Sequence, residues 1–248
     1  MKRIVITLLC VSLFVCNQRL FAQDYWDGTT DVDFGGSGTE DSPYLISTPE
    51  QLAGMAIRVS GGEDFYGKYF RLIQDIYLTD YLDPDTVNWK EWVPIGGICY
   101  VQDEHNGWKY TSDSSYFRGT FDGNDHTIYN LYYGHIPNIK LDDLDDPTYS
   151  YVPDFTGWYK GLFGFVKDGT IKNLNMYDAR MSGARRVGII ASIIYSGTVT
   201  NCTVNSGYVY ANDGGAGAIA GENEGIIENC YVNSNVIASR GAGAVAGY

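Results

Sequence analysis

Basic residues are scarce in this sequence of 248 residues. Lysine and arginine together number 17 against 30 aspartates and glutamates, which gives a formal net charge of −13 at pH 7. Such a surface repels the phosphate backbone of DNA and RNA, because proteins that bind nucleic acids neutralise phosphates with clustered lysine and arginine. The composition therefore argues against nucleic acid as a partner.

Cysteine and histidine are also rare. Of the five cysteines, Cys10 and Cys16 fall in an N-terminal apolar segment, which leaves Cys99, Cys202 and Cys230. An odd number does not indicate a disulfide framework, and we expect buried thiols at the last two positions, which are equivalent in a repeat described below. The three histidines are scattered and no H-E-x-x-H motif occurs, so we expect no metal site.

One short stretch fits a dinucleotide-binding pattern. GAGAIA at 215–220 matches G-x-G-x-x-A, but that motif binds pyrophosphate only where a helix begins. Here another predicted strand follows, and GAGAVA recurs at 241–246. We interpret both stretches as corners of a coil and expect no cofactor. The nucleophile motif G-x-S-x-G is also missing, so no catalytic residue is assigned.

Long hydrophobic runs are absent after the first 22 residues. Lys2 and Arg3 precede an apolar stretch at 4–16, and Ala22 offers a small residue for cleavage. This pattern predicts a signal peptide over residues 1–22, since the apolar stretch is too short to span a bilayer. We therefore expect a secreted or cell-surface protein, on the outer surface of a bacterium, with no transmembrane segment after cleavage.

The sequence does contain a repeat of 28 residues. Its first pattern, Gly-x-Ile/Val-x-Asn, begins at Gly169, Gly197 and Gly225. Its second series is GLFG at 161–164, GIIAS at 188–192, GAIAG at 217–221 and GAVAG at 243–247. We interpret HTIYNL at 126–131 as a weaker copy of the first pattern, with Asn130 in the place of Asn173. A fixed period of this size indicates an architecture in which each repeat stacks on the last.

The repeats predict short strands joined by corners. Valine and tyrosine alternate with polar residues in stretches such as 198–213, and asparagine, serine and glycine interrupt them. No helical period is seen after residue 160, and the repeats lack the turn pairs of antiparallel hairpins. We predict an all-β parallel β-helix in which glycines take positive φ at the corners. A structural ladder of side-chain amides is expected from Asn173, Asn201 and Asn229.

One helix is predicted, over residues 46–62. Thr48 is the expected N-cap, Pro49 the first helical residue and Gln51 the partner in a capping box. Its apolar face can cover the first turn of the β-helix and shield the unpaired edge there.

These features divide the chain into four parts. The signal peptide (1–22) is followed by an N-terminal cap with the first coils (23–133), an aromatic and acidic insertion (134–160), and the repeats (161–248). The last repeat stops before its Gly-x-Ile/Val-x-Asn portion, which suggests that the natural protein continues past Tyr248.

Aromatic residues are concentrated in the segments that interrupt the repeats. Rings with a polar edge suit sugar faces and protein partners, and excursions from a repeat scaffold commonly carry function. The alternative is that these rings pack loops onto the coil. The candidate binding residues are Trp108, Tyr149, Tyr151, Trp158 and Tyr159.

Several motifs, in order, resemble those of the GLUG-repeat proteins, which are exported or surface proteins of bacteria. They are GTEDSPYLISTPEQLAGMA (38–56), YGKYFRLIQDIYL (66–78), WVPIGG (92–97) and FRGTFDGNDHTIYNL (117–131), followed by G-L-F-G and G-T-I-x-N-L. The resemblance covers the chain from Gly38 to its end. It implies a right-handed β-helix and an adhesin-like role at the cell surface, and it brings no catalytic residue.

Three functions remain open. The leading hypothesis is adhesin-like binding of a glycan or of a host or other extracellular protein. The second is a polysaccharide lyase, by analogy of fold alone. The third is a structural stalk segment without a ligand. The lyase hypothesis would draw on Asp142, Asp143, Asp145, Asp146, Arg185 and Arg186.

Overall fold

The chain folds as a parallel β-helix with one short helix near its N-terminus, as predicted from the sequence. The computed structural model describes residues 25–81, 89–103, 107–134 and 157–247. The predicted signal peptide and most of the predicted insertion at 134–160 lie outside these residues.

The helix α1 covers Pro49–Ser60, and the strands are short. In chain order they are β1 (Tyr44–Ile46), β2 (Tyr69–Leu72), β3 (Ile76–Tyr77), β4 (Gly97–Asp103), β5 (Gly107–Ser115), β6 (Thr120–Asp122), β7 (Thr127–Tyr129), β8 (Tyr132–Tyr133), β9 (Phe163–Val166), β10 (Thr170–Lys172), β11 (Asn175–Tyr177), β12 (Arg180–Gly183), β13 (Val187–Gly188), β14 (Ala191–Ile194), β15 (Thr198–Thr200), β16 (Thr203–Ala211), β17 (Ala216–Gly217), β18 (Ala220–Asn223), β19 (Ile226–Glu228), β20 (Tyr231–Ala238) and β21 (Ala242–Gly243).

Four sheets run along the stack, each built from strands of successive turns. Sheet I has the order β1-β2-β6-β10-β15-β19, which corresponds to six turns. Sheet II contains β3, β7, β11, β16 and β20 together with β8 and β12. Sheet III has the order β9-β14-β18, and sheet IV has the order β13-β17-β21. All strand pairs within these four sheets are parallel, as expected when each turn lies on the one before.

Equivalent residues of the repeats pair with one another. Ile171 pairs with Val199, and Val199 pairs with Ile227. The 28-residue period of the sequence is therefore one turn of the coil. Ile171 and Val199 are fully buried, and they belong with Phe121 to one core that follows the axis of the coil.

The register corrects the placement of HTIYNL. Tyr129 pairs with Tyr177, so the next residue, Asn130, lies in the column of Asp178 and not in that of Asn173. The counterpart of the repeated motif in this turn is β6, which pairs with β10. Asn130 and Asn173 both have positive φ, 59° and 52°, a conformation that asparagine tolerates well. Each stretch therefore has an asparagine at a corner with positive φ, which explains why the two stretches look alike in sequence.

The repeat glycines serve close packing, and the expectation of positive φ at these corners is wrong for them. Gly169, Gly197 and Gly225 have φ values outside the positive region. A Cβ atom on Gly197 would lie 2.7 Å from the carbonyl oxygen of Gly169, and one on Gly225 would lie 2.3 Å from that of Gly197. Any side chain here would push two turns apart, so glycine is required by proximity.

Helix α1 begins at the predicted residues. The Thr48 side chain accepts a hydrogen bond from the backbone N–H of Gln51. The Gln51 side chain accepts in return from the N–H of Ser47 at 2.8 Å, one residue before the position that a capping box uses. Met55 and Val59 are fully buried in the same core as the first strands. The helix therefore covers the apolar core at the N-terminal end of the stack.

An antiparallel hairpin, which the sequence analysis did not predict, interrupts one turn. Strands β4 and β5 pair antiparallel and lie between Ile95 and Phe117, which pair with Phe163 and Val166 of the next turn. The sequence signal is the Asn-Gly pair at 106–107, which is typical of tight hairpin turns and lies outside the repeats.

Replacing Ile171 with alanine should lower the free energy of unfolding by about 2–5 kcal/mol, because truncation of a fully buried side chain leaves a cavity between turns. The matched control is Ile226→Ala in the same sheet, where the side chain is 56% exposed and the cost should stay below about 0.5 kcal/mol. Urea denaturation followed by circular dichroism measures both. Equal losses would contradict a core formed by the stacked Ile171 column.

Candidate functional site

Five charged side chains come together at the corner of the coil that follows sheet II. They border an open cleft of about 310 Å³, which we name the arginine cleft. Its lining residues are Arg185, Arg186, Asp213, Gly214, Gly215, Glu222 and Arg240.

Stacking of the turns brings these side chains together. The backbone N–H of Asp213 donates to the carbonyl of Ala184 at 2.9 Å, which sets Asp213 beside Arg185. Arg240 follows β20 at the same corner one turn later. Three successive turns thus contribute one charged residue each to the same edge of the cleft, while Glu222 enters from β18 of sheet III.

A single carboxylate is shared by two arginines. The Oδ2 atom of Asp213 accepts from Nε of Arg185 at 2.8 Å and from its Nη2 at 2.5 Å. The Oδ1 atom lies 3.2 Å from Nη2 of Arg240. Arg186 pairs instead with Glu222. The cleft therefore holds three guanidinium groups and two carboxylates, so one positive charge is in excess within a chain of net charge −13.

Arg186 is fixed by its backbone as well as by its ion pair. Its φ is 53°, and its carbonyl accepts a hydrogen bond from Oγ of Ser192 at 2.6 Å. A Cβ atom on Gly221 would lie 2.2 Å from its carbonyl carbon, so only glycine permits this approach. Burial tends to lower the pKa of Arg186, but the hydrogen bond and charge of Glu222 outweigh it and the pKa is raised. Arg186 therefore retains its proton.

Aromatic side chains cover the outer face of sheet III beside the cleft. The ring centroid of Phe165 lies 5.1 Å from that of Tyr159, 5.6 Å from that of Tyr195 and 5.9 Å from that of Tyr116. Phe165 is only 2% exposed, yet it does not belong to the core inside the coil. These four rings, which we name the aromatic patch, are thus a second, external cluster. Burial, with the neighbouring hydroxyls of Tyr116 and Tyr159, raises the pKa of Tyr195 to about 12.

Two aromatic residues connect the patch with the cleft. The guanidinium carbon of Arg185 lies 5.0 Å from the ring centroid of Trp158, and that of Arg186 lies 5.4 Å from the ring centroid of Tyr159. Nη1 of Arg186 also donates to the Tyr159 hydroxyl at 3.0 Å. Contacts between guanidinium groups and ring faces are attractive. The rings of Trp158 and Tyr159 therefore flank the arginines and orient them.

The candidate binding residues predicted from the sequence fall in three places. Trp158 and Tyr159 lie beside the cleft. Trp108 lies in β5, where its backbone pairs with Gln102. Tyr149 and Tyr151 lie outside the described residues, as do the acidic residues 142–146 of the lyase hypothesis.

Sequence analysis missed much of this site. Arg185 and Arg186 were named in it, although only as residues on which the lyase hypothesis would draw. A signal for Asp213 was present, because this carboxylate stands one 28-residue period after Arg185, where stacking brings opposite charges together. The other residues that it missed are Tyr116, Phe165, Tyr195, Glu222 and Arg240.

The asparagines of the predicted ladder form a column at another corner. Asn173, Asn201 and Asn229 have nearly identical positive φ values of 52°, 52° and 53°. Nδ2 of Asn201 lies 3.5 Å from Oδ1 of Asn173, and Nδ2 of Asn173 donates to Oδ1 of Asp122 at 2.9 Å. Asn201 and Asn229 are exposed to solvent rather than turned inward.

The two repeat cysteines are free thiols in neighbouring turns. Cys202 is buried and donates to the carbonyl of Thr200 at 3.3 Å; Cys230 is less buried and donates to that of Glu228 at 3.2 Å. When Cys230 is deprotonated, the Cys202 thiol can donate to its sulfur instead, which raises the pKa of Cys202, together with its burial, and lowers the pKa of Cys230. A thiolate should therefore form at Cys230 first.

Two further properties concern only the described part of the chain. It contains no group of three histidine, cysteine, aspartate or glutamate side chains close enough to hold a metal ion. It also contains no helix that is both long and apolar enough to cross a membrane.

Comparison with known proteins identifies a partial relative. The chain is 30% identical over 177 residues to a protein of Evansella cellulosilytica described as "Putative Gly-rich membrane protein". The match includes 70% of this chain but spans only 16% of the length of that relative. No protein-family profile matches the chain, and no solved structure matches it.

Replacing Asn201 with alanine should lower the free energy of unfolding by about 1–2 kcal/mol, because alanine is strained at a φ of 52°. Asn201→Gly removes the same amide but accepts this backbone, so its loss should be smaller. Chemical denaturation of the two variants separates backbone strain from the 3.5 Å amide contact. Equal losses of unfolding free energy in the two variants would show that the amide contact, and not the backbone strain, accounts for the loss.

In the folded protein at pH 7, iodoacetamide should modify Cys230 faster than Cys202, since the thiolate is the reactive form and the pKa of Cys230 is lowered. Timed quenching followed by peptide mass spectrometry measures each cysteine separately. In concentrated urea the difference should disappear. Faster modification of Cys202 in the native state would contradict the assignment of the thiolate.

Proposed function

We propose that this chain is the ligand-binding part of a secreted or cell-surface, adhesin-like protein, and that it binds a glycan at the arginine cleft. The observation that carries the proposal is the arrangement of Trp158 and Tyr159 against two arginines of the cleft, Arg185 and Arg186. Both rings are partly exposed. An accessible ring beside fixed polar groups can recognise a sugar, because the aromatic ring packs on the apolar face of the sugar and the polar groups bond the sugar hydroxyls.

The scaffold supports binding because it holds the site rigidly. Trp158, Arg185, Asp213 and Arg240 lie at one corner of four successive turns, and each turn is fixed to the next by backbone hydrogen bonds. A site on such a frame loses little conformational entropy when a ligand binds.

A glycan fits the cleft better than a protein partner does. A specific protein interface buries about 800 Å² on each side and usually has a largely apolar centre. The arginine cleft is small, charged and open, and its volume of about 310 Å³ is at the lower end of the range for small-molecule sites. It therefore suits one end or a short stretch of an oligosaccharide.

The lyase alternative gains less support from the geometry. Such an enzyme needs a group that accepts a proton from the sugar, and a general base must be able to lose its own proton near the working pH. Arg186 has a raised pKa, and Arg185 donates two hydrogen bonds to Asp213. Both arginines are therefore suited to hold a ligand rather than to deprotonate it.

The test is a glycan array that carries neutral and acidic oligosaccharides, followed by calorimetry on the best ligand. Trp158→Ala should weaken binding about tenfold or more, as truncation of an aromatic anchor commonly does. Tyr231→Ala is the matched control, because this ring is 59% exposed at the far end of β20 from Arg240.

Three outcomes are distinguishable once circular dichroism has shown that both variants are folded. Loss of binding in Trp158→Ala alone supports the site. Equal loss in both variants would place the ligand elsewhere on the coil. Absence of binding to every glycan would overturn the proposal and favour a protein ligand or a stalk segment without a ligand.

A further inference from the structure

We infer that the ligand of the arginine cleft is an acidic sugar, and that Arg185 and Arg240 hold its carboxylate. This inference rests on the proposed function, because it names the chemistry of the ligand at the same site. Three features of the cleft support it: unused hydrogen-bond donors of its arginines, its excess positive charge, and the aromatic rings beside it.

Arg185 and Arg240 have more hydrogen-bond donors than Asp213 engages. A guanidinium group carries five N–H donors. Arg185 directs Nε and Nη2 toward a single oxygen of Asp213, while Arg240 approaches the other oxygen with one nitrogen. Asp213 thus aligns two guanidinium groups around one carboxylate without using all of their donors. The remaining donors suit a second carboxylate, since arginine binds carboxylates in planar, paired geometry.

The solvent exposure of the side chains also favours binding of a carboxylate at Arg185 and Arg240. The side chain of Arg240 is 65% exposed, while those of Arg185 and Asp213 are 38% and 37% exposed. A ligand can therefore reach Arg240 without breaking its contact with Asp213. Arg186 is less available, because it is engaged by both Glu222 and Tyr159.

The charge balance further limits the chemical class of the ligand. The cleft has one positive charge in excess, but the whole chain carries −13. Charges at a protein surface act over about 8–10 Å in physiological salt, so the cleft attracts an anion locally while the rest of the surface repels a dense polyanion. A sugar with an isolated carboxylate meets both conditions, whereas a nucleic acid does not.

The aromatic surroundings favour a sugar over a free small anion. Trp158 lies against Arg185, so a ring bound by its carboxylate at Arg185 would lie beside the indole. Tyr159, which belongs to the aromatic patch, continues this wall beyond Trp158. A small carboxylate without a sugar ring would make no contact with the rings of Trp158 and Tyr159.

The experiment uses calorimetry on the folded full chain with trigalacturonate and sialyl-lactose, each compared with its own methyl ester. The ester keeps the sugar and removes the charge. Each acid that binds should bind at least about tenfold more tightly than its ester, which corresponds to one charge-assisted contact. A sulfated lactose serves as a third probe, because arginine also binds sulfate-like oxyanions.

The variant Arg240→Gln removes the exposed guanidinium group and should weaken binding of the acids about tenfold, so that most of their advantage over the esters is lost. Arg71→Gln is the matched control, since this arginine is 44% exposed on sheet I and should not affect any probe. Binding of the acids should also weaken as salt is added, more than binding of the esters does.

The possible failures separate the two proposals. If acids and esters bind equally and Trp158→Ala abolishes both, the glycan site stands and the carboxylate assignment is overturned. If the sulfated sugar binds as well as the acids do, the preference for carboxylate is overturned. If no sugar binds to the folded chain, both proposals are overturned.

Discussion

Pairing in register between successive turns is the constraint on which the rest of this structure depends. Each strand is only two to nine residues long, too short to be stable alone, and its edges are satisfied by the turn before and the turn after. The same pairing stacks Ile171 on Val199 inside the coil and sets Arg185 beside Asp213 outside it. Core and candidate site are therefore two results of one repeat distance.

The constraint also explains which residue types recur. Glycines at Gly169, Gly197 and Gly225 stand where a Cβ atom would strike the backbone of the preceding turn. Asparagines stand where the backbone turns through positive φ, which few other residues tolerate. Between these fixed positions the outward-facing residues are free to vary. That freedom lets one corner collect arginines, carboxylates and rings without disturbing the core.

The sequence predicted the parallel stack and the N-terminal helix because both depend on spacing: the 28-residue step, and the Thr48, Pro49 and Gln51 signals. The candidate site was less accessible for a physical reason. Strand β9 is buried throughout, so alternation could not show that Phe165 faces outward while its neighbour Val166 faces the core. Nor does residue type reveal that Arg186 takes positive φ. The aromatic patch depends on the first of these facts and the arginine cleft on the second, whereas the pairing of Arg185 with Asp213 could have been read from the period.

The β4–β5 hairpin has a consequence for how such a protein can change. Ile95 and Phe117 pair with Phe163 and Val166 of a single strand, so the chain leaves the stack and returns to it almost where it left. Entropy of closure rises only slowly with loop length, so the stack can tolerate segments of different length between these two residues. The hairpin thus marks an insertion site. A new segment, whether it arises by evolution or is a foreign epitope grafted by design, can replace the hairpin while the underlying coil stays the same.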